Sequence, residues 1–157
     1  MLPKAVLDPG IFNRWGPDFA VEHGLVLACN DGAVMTVGFG HRYPSVEVWS
    51  TSRVDQPWRV DDEGIDAVSD LLHAAHVAVS DDVPANEEWH YRPMGTGVPV
   101  PWRIILKLRT STLAGFEGGT KIYVNTISPT TLAAMLLPKL CEARAAGRIA
   151  AMNLGDE

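Results

Sequence analysis

The chain has 157 residues, 46% of them hydrophobic and 20% charged, and its formal net charge at pH 7 is −6. This composition excludes an intrinsically disordered chain and predicts one globular domain over residues 1–157, large enough to bury a core. The sequence contains neither an 18-residue apolar run that would cross a membrane nor the apolar N-terminal segment of a signal peptide.

A β-hairpin is the first element predicted along the chain. Two apolar segments, residues 25–29 and 33–39, flank Asn30-Asp31-Gly32. These three residue types tolerate the positive φ angles that tight turns require. The alternating segment Ser45–Thr51 predicts a third strand, and Trp58–Val60 predicts a short further one.

A helix is predicted next, from about Glu63 to Val79. Its apolar residues recur at intervals of three and four, the spacing of one helix face: Ile65, Val68, Leu72, Ala75 and Val79. Asp61, Asp62 and Glu63 occupy the expected N-cap and first turn. Carboxylates are favourable there because they accept hydrogen bonds from free backbone N–H groups and lie at the positive end of the helix dipole.

Strands are predicted again in the second half of the chain, over residues 88–92, 102–110 and 121–127. Ile104, Leu106 and Leu108 alternate with Arg103 and Lys107, which is the pattern of a strand with one solvated face. Glycines at positions 115, 118 and 119 predict a flexible connection, so that the last two strands would form a long hairpin.

A second helix is predicted from about residue 129 to 146. Ser128 is a suitable N-cap, and Pro129 fits the first helical position, where its missing N–H is not needed. Pro138 is expected to bend or break this helix, and Gly147 to end it. The order of elements predicts an α+β fold, with a largely antiparallel sheet of about six strands and two helices.

Two histidines, His73 and His76, form an HxxH pair on the first predicted helix. They lie about 60° apart on the helical wheel and could share a metal ion, but a zinc site requires further ligands. The sequence does not choose a third ligand among His23, His41 and His90. Since His76 falls on the apolar face, we predict a histidine at the boundary of the core, with no metal and no cofactor.

Two glycine-rich segments, residues 38–41 and 115–119, carry the glycines expected of a phosphate-binding loop. Neither precedes a predicted helix, and neither contains the Lys-Ser/Thr pair of a P-loop, so loop geometry is the preferred explanation. No GxSxG nucleophile motif is present. The sequence therefore predicts no catalytic residue.

The two cysteines, Cys29 and Cys141, are far apart in sequence and neither belongs to a CxxC pair. Without a signal peptide they are expected to be reduced core thiols in a cytoplasmic protein, with a disulfide between them as the less favoured alternative. Arginine outnumbers lysine nine to four, and alanine is frequent. This usage indicates a GC-rich genome and hence a bacterium or a phage.

Charge is segregated along the chain. Nine acidic residues and no lysine or arginine lie between Asp61 and Tyr91, whereas seven basic and two acidic residues lie between Pro101 and Asn153. The acidic residues could pair with the basic segment, or they could form a surface that attracts a basic partner. Trp89 is added to that surface because tryptophan contributes large contact area. The predicted partner-binding residues are Asp62, Glu63, Asp66, Asp70, Asp81, Asp82, Glu87, Glu88 and Trp89.

The small size, the absence of motifs and the charge segregation favour a non-enzymatic, protein-binding accessory module of bacterial or phage origin, of the inhibitor or immunity type. Its expected partner is a protein with a basic surface, or a second copy of the chain. Membranes and nucleic acids are not expected as partners because the chain is acidic. The alternatives are a self-associating phage or virion assembly subunit, and a small metal-assisted enzyme that uses His73 and His76.

Overall fold

A computed structural model describes residues 2–5, 8, 10–80, 82–110 and 115–155. Its six-stranded sheet has the order β4-β5-β3-β2-β1-β6, and every strand pair is antiparallel. The strands are β1 (Val26–Cys29), β2 (Ala33–Val37), β3 (Ser45–Ser50), β4 (Ala85–His90), β5 (Arg103–Leu108) and β6 (Asn153–Leu154). The predicted α+β class with a largely antiparallel sheet is confirmed.

The helices comprise two long ones and several short ones. They are α1 (Leu2–Ala5), α2 (Ile11–Arg14), α3 (Pro17–Glu22), α4 (Asp62–Val79), α5 (Gly115–Thr120) and α6 (Pro129–Ala145), together with a 3-10 helix over Pro57–Arg59. The two predicted helices correspond to α4 and α6. The Asp61 side chain caps α4 by accepting a hydrogen bond from Gly64 N at 3.0 Å, and Ser128 caps α6 in the same way through Thr131 N at 3.1 Å.

The core lies between one face of the sheet and the two long helices. Leu71 on α4, Leu140 on α6 and Met35 on β2 are completely buried, and Ile104 on β5 is 1% exposed. Burying such a side chain contributes about 1.5–3 kcal/mol each. Because successive residues of a strand point to opposite faces, the other side chains of β2, β3, β4 and β5 lie on the opposite face of the sheet.

Two predicted strands are absent, and each has a physical reason. Residues 57–59 form a 3-10 helix, since the fixed φ of Pro57 suits a first helical position. Residues 121–125 are irregular and the glycines before them belong to α5, so the long hairpin is wrong. Both edges of β5 are already paired, to β3 and β4, and Lys121 has a φ of +59° that interrupts an extended backbone.

Pro138 does not break α6, so of the two predicted effects only a bend stays a prediction. The helix continues from Pro129 to Ala145 with Pro138 inside it. The carbonyl that loses its amide partner is that of Ala134, and both Ala134 and Pro138 are exposed, so water can satisfy it. Gly147, with a φ of +66°, follows the helix end as predicted. Among the described helices none combines the length and apolar character needed to cross a membrane.

Candidate functional site

The face of the sheet opposite α4 and α6 carries a set of polar side chains, here called the polar face. The strand register places its residues in three rows across the sheet. The first row runs from β2 to β4 and consists of Val34, Trp49, Arg103 and His90. The second row runs the same way and consists of Thr36, Glu47, Ile105 and Glu88. The third row runs from β3 to β4 and consists of Ser45, Lys107 and Asn86.

A histidine and a carboxylate meet at the centre of this face. His41 Nε2 is hydrogen bonded to Glu47 Oε1, and Glu47 is only 5% exposed. An ionised carboxylate can only accept, so Nε2 donates and the free Nδ1 is left as a proton acceptor. The close approach depends on Gly38, because a Cβ there would lie 2.7 Å from His41 Cδ2 and 3.3 Å from Glu47 Cγ. The glycine-rich segment 38–41 therefore has a packing function.

Arg103 supplies a cation beside this pair. Its Nη1 lies 3.6 Å from Glu47 Oε2, and its guanidinium carbon lies 4.4 Å from the centre of the Trp49 ring. Burial lowers the pKa of the guanidinium, and the nearby Glu47 carboxylate opposes that shift. Arginine stays charged at any physiological pH, so a desolvated cation stands next to a carboxylate-bound imidazole.

A second ion pair lies further along the same face. Lys107 Nζ donates a hydrogen bond to Glu88 Oε1 at 2.5 Å, and His90 Nε2 lies 3.4 Å from Glu88 Oε2. The hydrogen bond from Lys107 lowers the pKa of Glu88 most strongly, the charges of Lys107 and His90 act in the same direction, and burial opposes them. The polar face thus combines two cations with two carboxylates and two imidazoles, a set able to bind an anion and to move a proton.

A cleft of about 460 Å³ opens at the end of β3, next to the first row of the polar face. Its walls include Val34, the residues Ser50 to Arg53, and Asn13 and Asp18 near α2 and α3. A second cleft of about 590 Å³ lies beside α4 and is acidic, with Asp31, Asp61, Glu63, Asp66 and Asp70 in its walls.

The predicted partner-binding residues do not form one surface. Asp62, Glu63, Asp66 and Asp70 are exposed on α4, and Asp82 is exposed in the following loop. Glu87 accepts from His76 at 2.7 Å and from Trp89 Nε1 at 3.1 Å on the helix side of the sheet. Glu88 lies on the polar face, and Asp81 lies outside the described residues. A role of the α4 carboxylates in binding a basic partner stays a prediction.

The two helix histidines are exposed, which corrects the expectation that His76 is buried. Val68, Leu71, Ala75 and Val79 already fill the buried side of α4, so the imidazole of His76 turns toward Glu87 on β4. Within the described ranges, no three His, Cys, Asp or Glu side chains are grouped so that they could hold a metal ion. Cys29 and Cys141 are both half-buried and are not joined by a disulfide.

The sequence analysis assigned no role to Glu47 or Arg103, and it considered His41 only as a possible third metal ligand. A faint signal existed for Glu47, since it is a single charge in the apolar strand Ser45–Ser50. His41 ends the glycine-rich segment 38–41, and Arg103 follows a tryptophan, but neither position has a catalytic motif. Only the strand register shows that the three meet, because β3 and β5 are separated by more than fifty residues.

Solved structures with the same fold include an ADP-glucose phosphorylase and a uridylyltransferase. An ADP-glucose phosphorylase from Arabidopsis thaliana with bound ADP-glucose shares 20% identity over 76% of this chain, with a TM-score of 0.66. A uridylyltransferase shares 15% identity over 90% of this chain, with a TM-score of 0.69. The chain spans 42% and 52% of these two proteins. No curated protein was found to match it.

The shared fold corrects the functional prediction made from the sequence. The prediction of a non-enzymatic, protein-binding accessory module is wrong, because the proteins that share this fold are a phosphorylase and a uridylyltransferase. The absence of a linear motif misled the sequence analysis, since the polar face is assembled from separate strands. The family described as "Domain of unknown function (DUF4921)" matches residues 3–157. This match covers almost the whole chain, which therefore belongs to the DUF4921 family.

Proposed function

We propose that this chain is a domain of an enzyme that acts on nucleotide sugars, with chemistry at a phosphate group. The fold carries the proposal: it is shared with an ADP-glucose phosphorylase and a uridylyltransferase at TM-scores of 0.66 and 0.69. The chain spans about half of the length of those proteins.

The polar face offers the charge that such a substrate requires. A nucleotide sugar carries a diphosphate, and negative charge on its oxygens is stabilised by cations in a partly desolvated site. Arg103 presents a planar guanidinium held flat by Trp49, with N–H groups beyond the one that faces Glu47. Lys107 adds a second positive charge on the same strand and the same face.

The His41–Glu47 pair offers a proton acceptor. Glu47 fixes the imidazole through Nε2, so Nδ1 can take a proton from an attacking hydroxyl or phosphate and return it to the leaving group. A buried carboxylate that orients a histidine and stabilises its charged form is a recurrent arrangement at sites of acyl and phosphoryl transfer. We therefore assign His41 the role of general acid–base and Glu47 the role of a positioning residue.

The experiment is to mix the full chain with ADP-glucose or UDP-glucose, to follow binding by calorimetry and to follow release of glucose 1-phosphate in the presence of inorganic phosphate. We expect the Arg103→Met variant to weaken binding by about tenfold or more, since a hydrogen bond to a charged group is lost. Arg59→Met is the matched control, because Arg59 is exposed and is not a residue of the polar face.

The proton-transfer role has its own test. His41→Asn should lower the rate of release by about 10²–10⁴ with little effect on binding. Glu47→Gln should shift the pH profile of the rate, because the amide cannot stabilise an imidazolium. If neither nucleotide sugar binds at millimolar concentration, or if His41→Asn retains the full rate, the proposed function is wrong.

We also propose that the protein resides in the cytoplasm. Support comes from the two cysteines, Cys29 and Cys141, which are not joined by a disulfide. A cell-fractionation experiment on the native host tests this location. The two thiols should be found reduced in protein trapped with an alkylating reagent at lysis, and a secreted or periplasmic protein would contradict the proposal.

A further inference from the structure

We infer that the cleft at the end of β3 binds a phosphate group through Arg53 and the hydroxyls beside it. The site is distinct from the His41–Glu47 pair, and nothing in the sequence analysis assigned a role to it. The inference deepens the proposed function: if that function is correct, the natural ligand of the cleft is a sugar phosphate. Binding of phosphate itself can be tested whether or not the proposed function is correct.

The size and the walls of the cleft suit one small ligand. Its volume of about 460 Å³ lies in the range of small-molecule sites. The chain leaves β3 at Ser50 and turns through Thr51, Ser52 and Arg53, which line the cleft together with the apolar residues Pro99 to Pro101. Apolar lining with a few polar groups is the usual composition of such a site.

Hydrogen-bond donors predominate among the polar residues of the cleft. Ser50 Oγ accepts from Ser52 N at 3.2 Å, and Ser52 Oγ accepts from Val54 N at 3.1 Å. With one lone pair of each hydroxyl occupied in this way, the hydroxyl proton remains available to a ligand. Arg53 is exposed and forms no ion pair or hydrogen bond with the part of the chain that the structure describes.

Two carboxylates line the cleft together with Arg53. Arg92 Nε binds Asp55 Oδ2 at 2.7 Å, so the charge of Asp55 is compensated. Asp18 is the remaining counter-charge to Arg53. The cleft beside α4, where five carboxylates meet, is much more acidic and would repel an anion.

Trp49 lies beside the cleft without lining it. It is 1% exposed, and its Nε1 has no hydrogen-bond partner among the described residues. Its Cζ2 edge faces Gly16, where a Cβ would lie 2.6 Å from the ring, and Asn13 and Pro17 near Gly16 in sequence both line the cleft. The indole N–H is therefore a nearby reporter of binding in the cleft.

The test is a titration of the ¹⁵N-labelled full chain with inorganic phosphate, with glucose 1-phosphate and with glucose, followed by amide and indole N–H chemical shifts. We expect phosphate to shift the amides of residues 50–53 and the indole signal of Trp49. The Arg53→Ala variant should weaken phosphate binding by about tenfold or more, and Arg59→Ala should leave it unchanged. Arg53 is exposed, so its removal does not disturb the core.

Glucose 1-phosphate should bind more tightly than phosphate if the cleft accepts a sugar phosphate, and equally if it accepts only the phosphate group; glucose alone should not bind. The inference fails if phosphate shifts no signal of residues 50–53, or if Arg53→Ala binds as well as the unchanged chain. Shifts that disappear in Arg103→Met but persist in Arg53→Ala would place phosphate on the polar face. That result would overturn the inference about the cleft and leave the proposed function intact. Phosphate binding in the cleft without nucleotide-sugar turnover would overturn the proposed function and leave the inference about the cleft intact.

Discussion

Arg103 and Trp49 are stacked on each other, with 4.4 Å between the guanidinium carbon and the centre of the indole ring. They are cross-strand neighbours on β5 and β3, and Trp49 is 1% exposed. The stack links two parts of the molecule, because one side of the indole carries the cation of the polar face while its edge lies near the cleft. The indole therefore fixes the position of the cation on which the proposed function depends.

Replacing Arg103 by lysine tests this stack. Lysine keeps the positive charge but lacks the planar guanidinium, so we expect the free energy of unfolding to fall by about 1 kcal/mol. Urea denaturation measures the change. Arg59→Lys is the control and should remain within about 0.5 kcal/mol of the unchanged chain. Equal stability of the two variants would mean that the stack contributes nothing.

Gly38 should be indispensable for the His41–Glu47 contact. In Gly38→Ala the new Cβ would lie 2.7 Å from His41 Cδ2, so the imidazole or the backbone must move. We expect a loss of about 1–3 kcal/mol in the free energy of unfolding and a changed ring signal of His41 in NMR spectra. Gly97→Ala has open space around its Cβ and should cause neither effect. An unchanged His41 signal in Gly38→Ala would contradict the described contact.

The Glu88–Lys107 pair predicts a dependence of stability on pH. Lys107 holds the pKa of Glu88 below its usual value in the folded chain, so the unfolded chain binds more protons between the folded and the ordinary pKa. The stabilisation is therefore complete above the ordinary pKa of a glutamate and is lost as the pH falls through the folded pKa. Because Glu88 is 42% exposed, we expect less than about 1 kcal/mol.

Urea denaturation of the unchanged chain and of Lys107→Met at neutral pH and at acid pH checks this dependence. The difference between the two proteins should shrink at acid pH, where Glu88 is protonated. Lys139→Met, which removes an exposed lysine on α6, should show no such change. A difference that is the same at both pH values would show that the ion pair does not lower the pKa of Glu88.

Asp66 and Asp70 should not stabilise the fold. They stand four residues apart on α4, line the acidic cleft and have no basic partner within the described chain. Like charges at this spacing repel by a few tenths of a kcal/mol. The double change to asparagine should therefore leave the free energy of unfolding within about 0.5 kcal/mol or raise it. A loss well above 1 kcal/mol would reveal an internal salt-bridge network.

Asp61→Ala provides the contrast on the same helix. Asp61 accepts a hydrogen bond from Gly64 N at the N-terminus of α4, so its removal should lower the free energy of unfolding by about 1 kcal/mol. If Asp61→Ala leaves the free energy of unfolding unchanged, Asp61 does not stabilise α4 as an N-cap. If the double change at Asp66 and Asp70 lowers it, those two carboxylates do stabilise the fold.

Elements with a local signal can be predicted from the sequence alone. Periodicity and capping residues specify α4 and α6 to within one residue at each end, because an amphipathic helix repeats every 3.6 residues and its ends need particular side chains. The turn Asn30-Asp31-Gly32 likewise specifies the β1–β2 hairpin. From these elements the α+β class follows.

Features that depend on pairing between distant segments of the chain are visible only in the tertiary structure. Residues 121–127 alternate like a strand, but β3 and β4 occupy both edges of β5, so no partner is left for them there. Glu87 and Glu88 are adjacent in sequence but point to opposite faces of the sheet, which divides the predicted acidic surface. Glu47 and Arg103 meet only because β3 pairs with β5, and that long-range pairing, which local sequence does not encode, creates the candidate site.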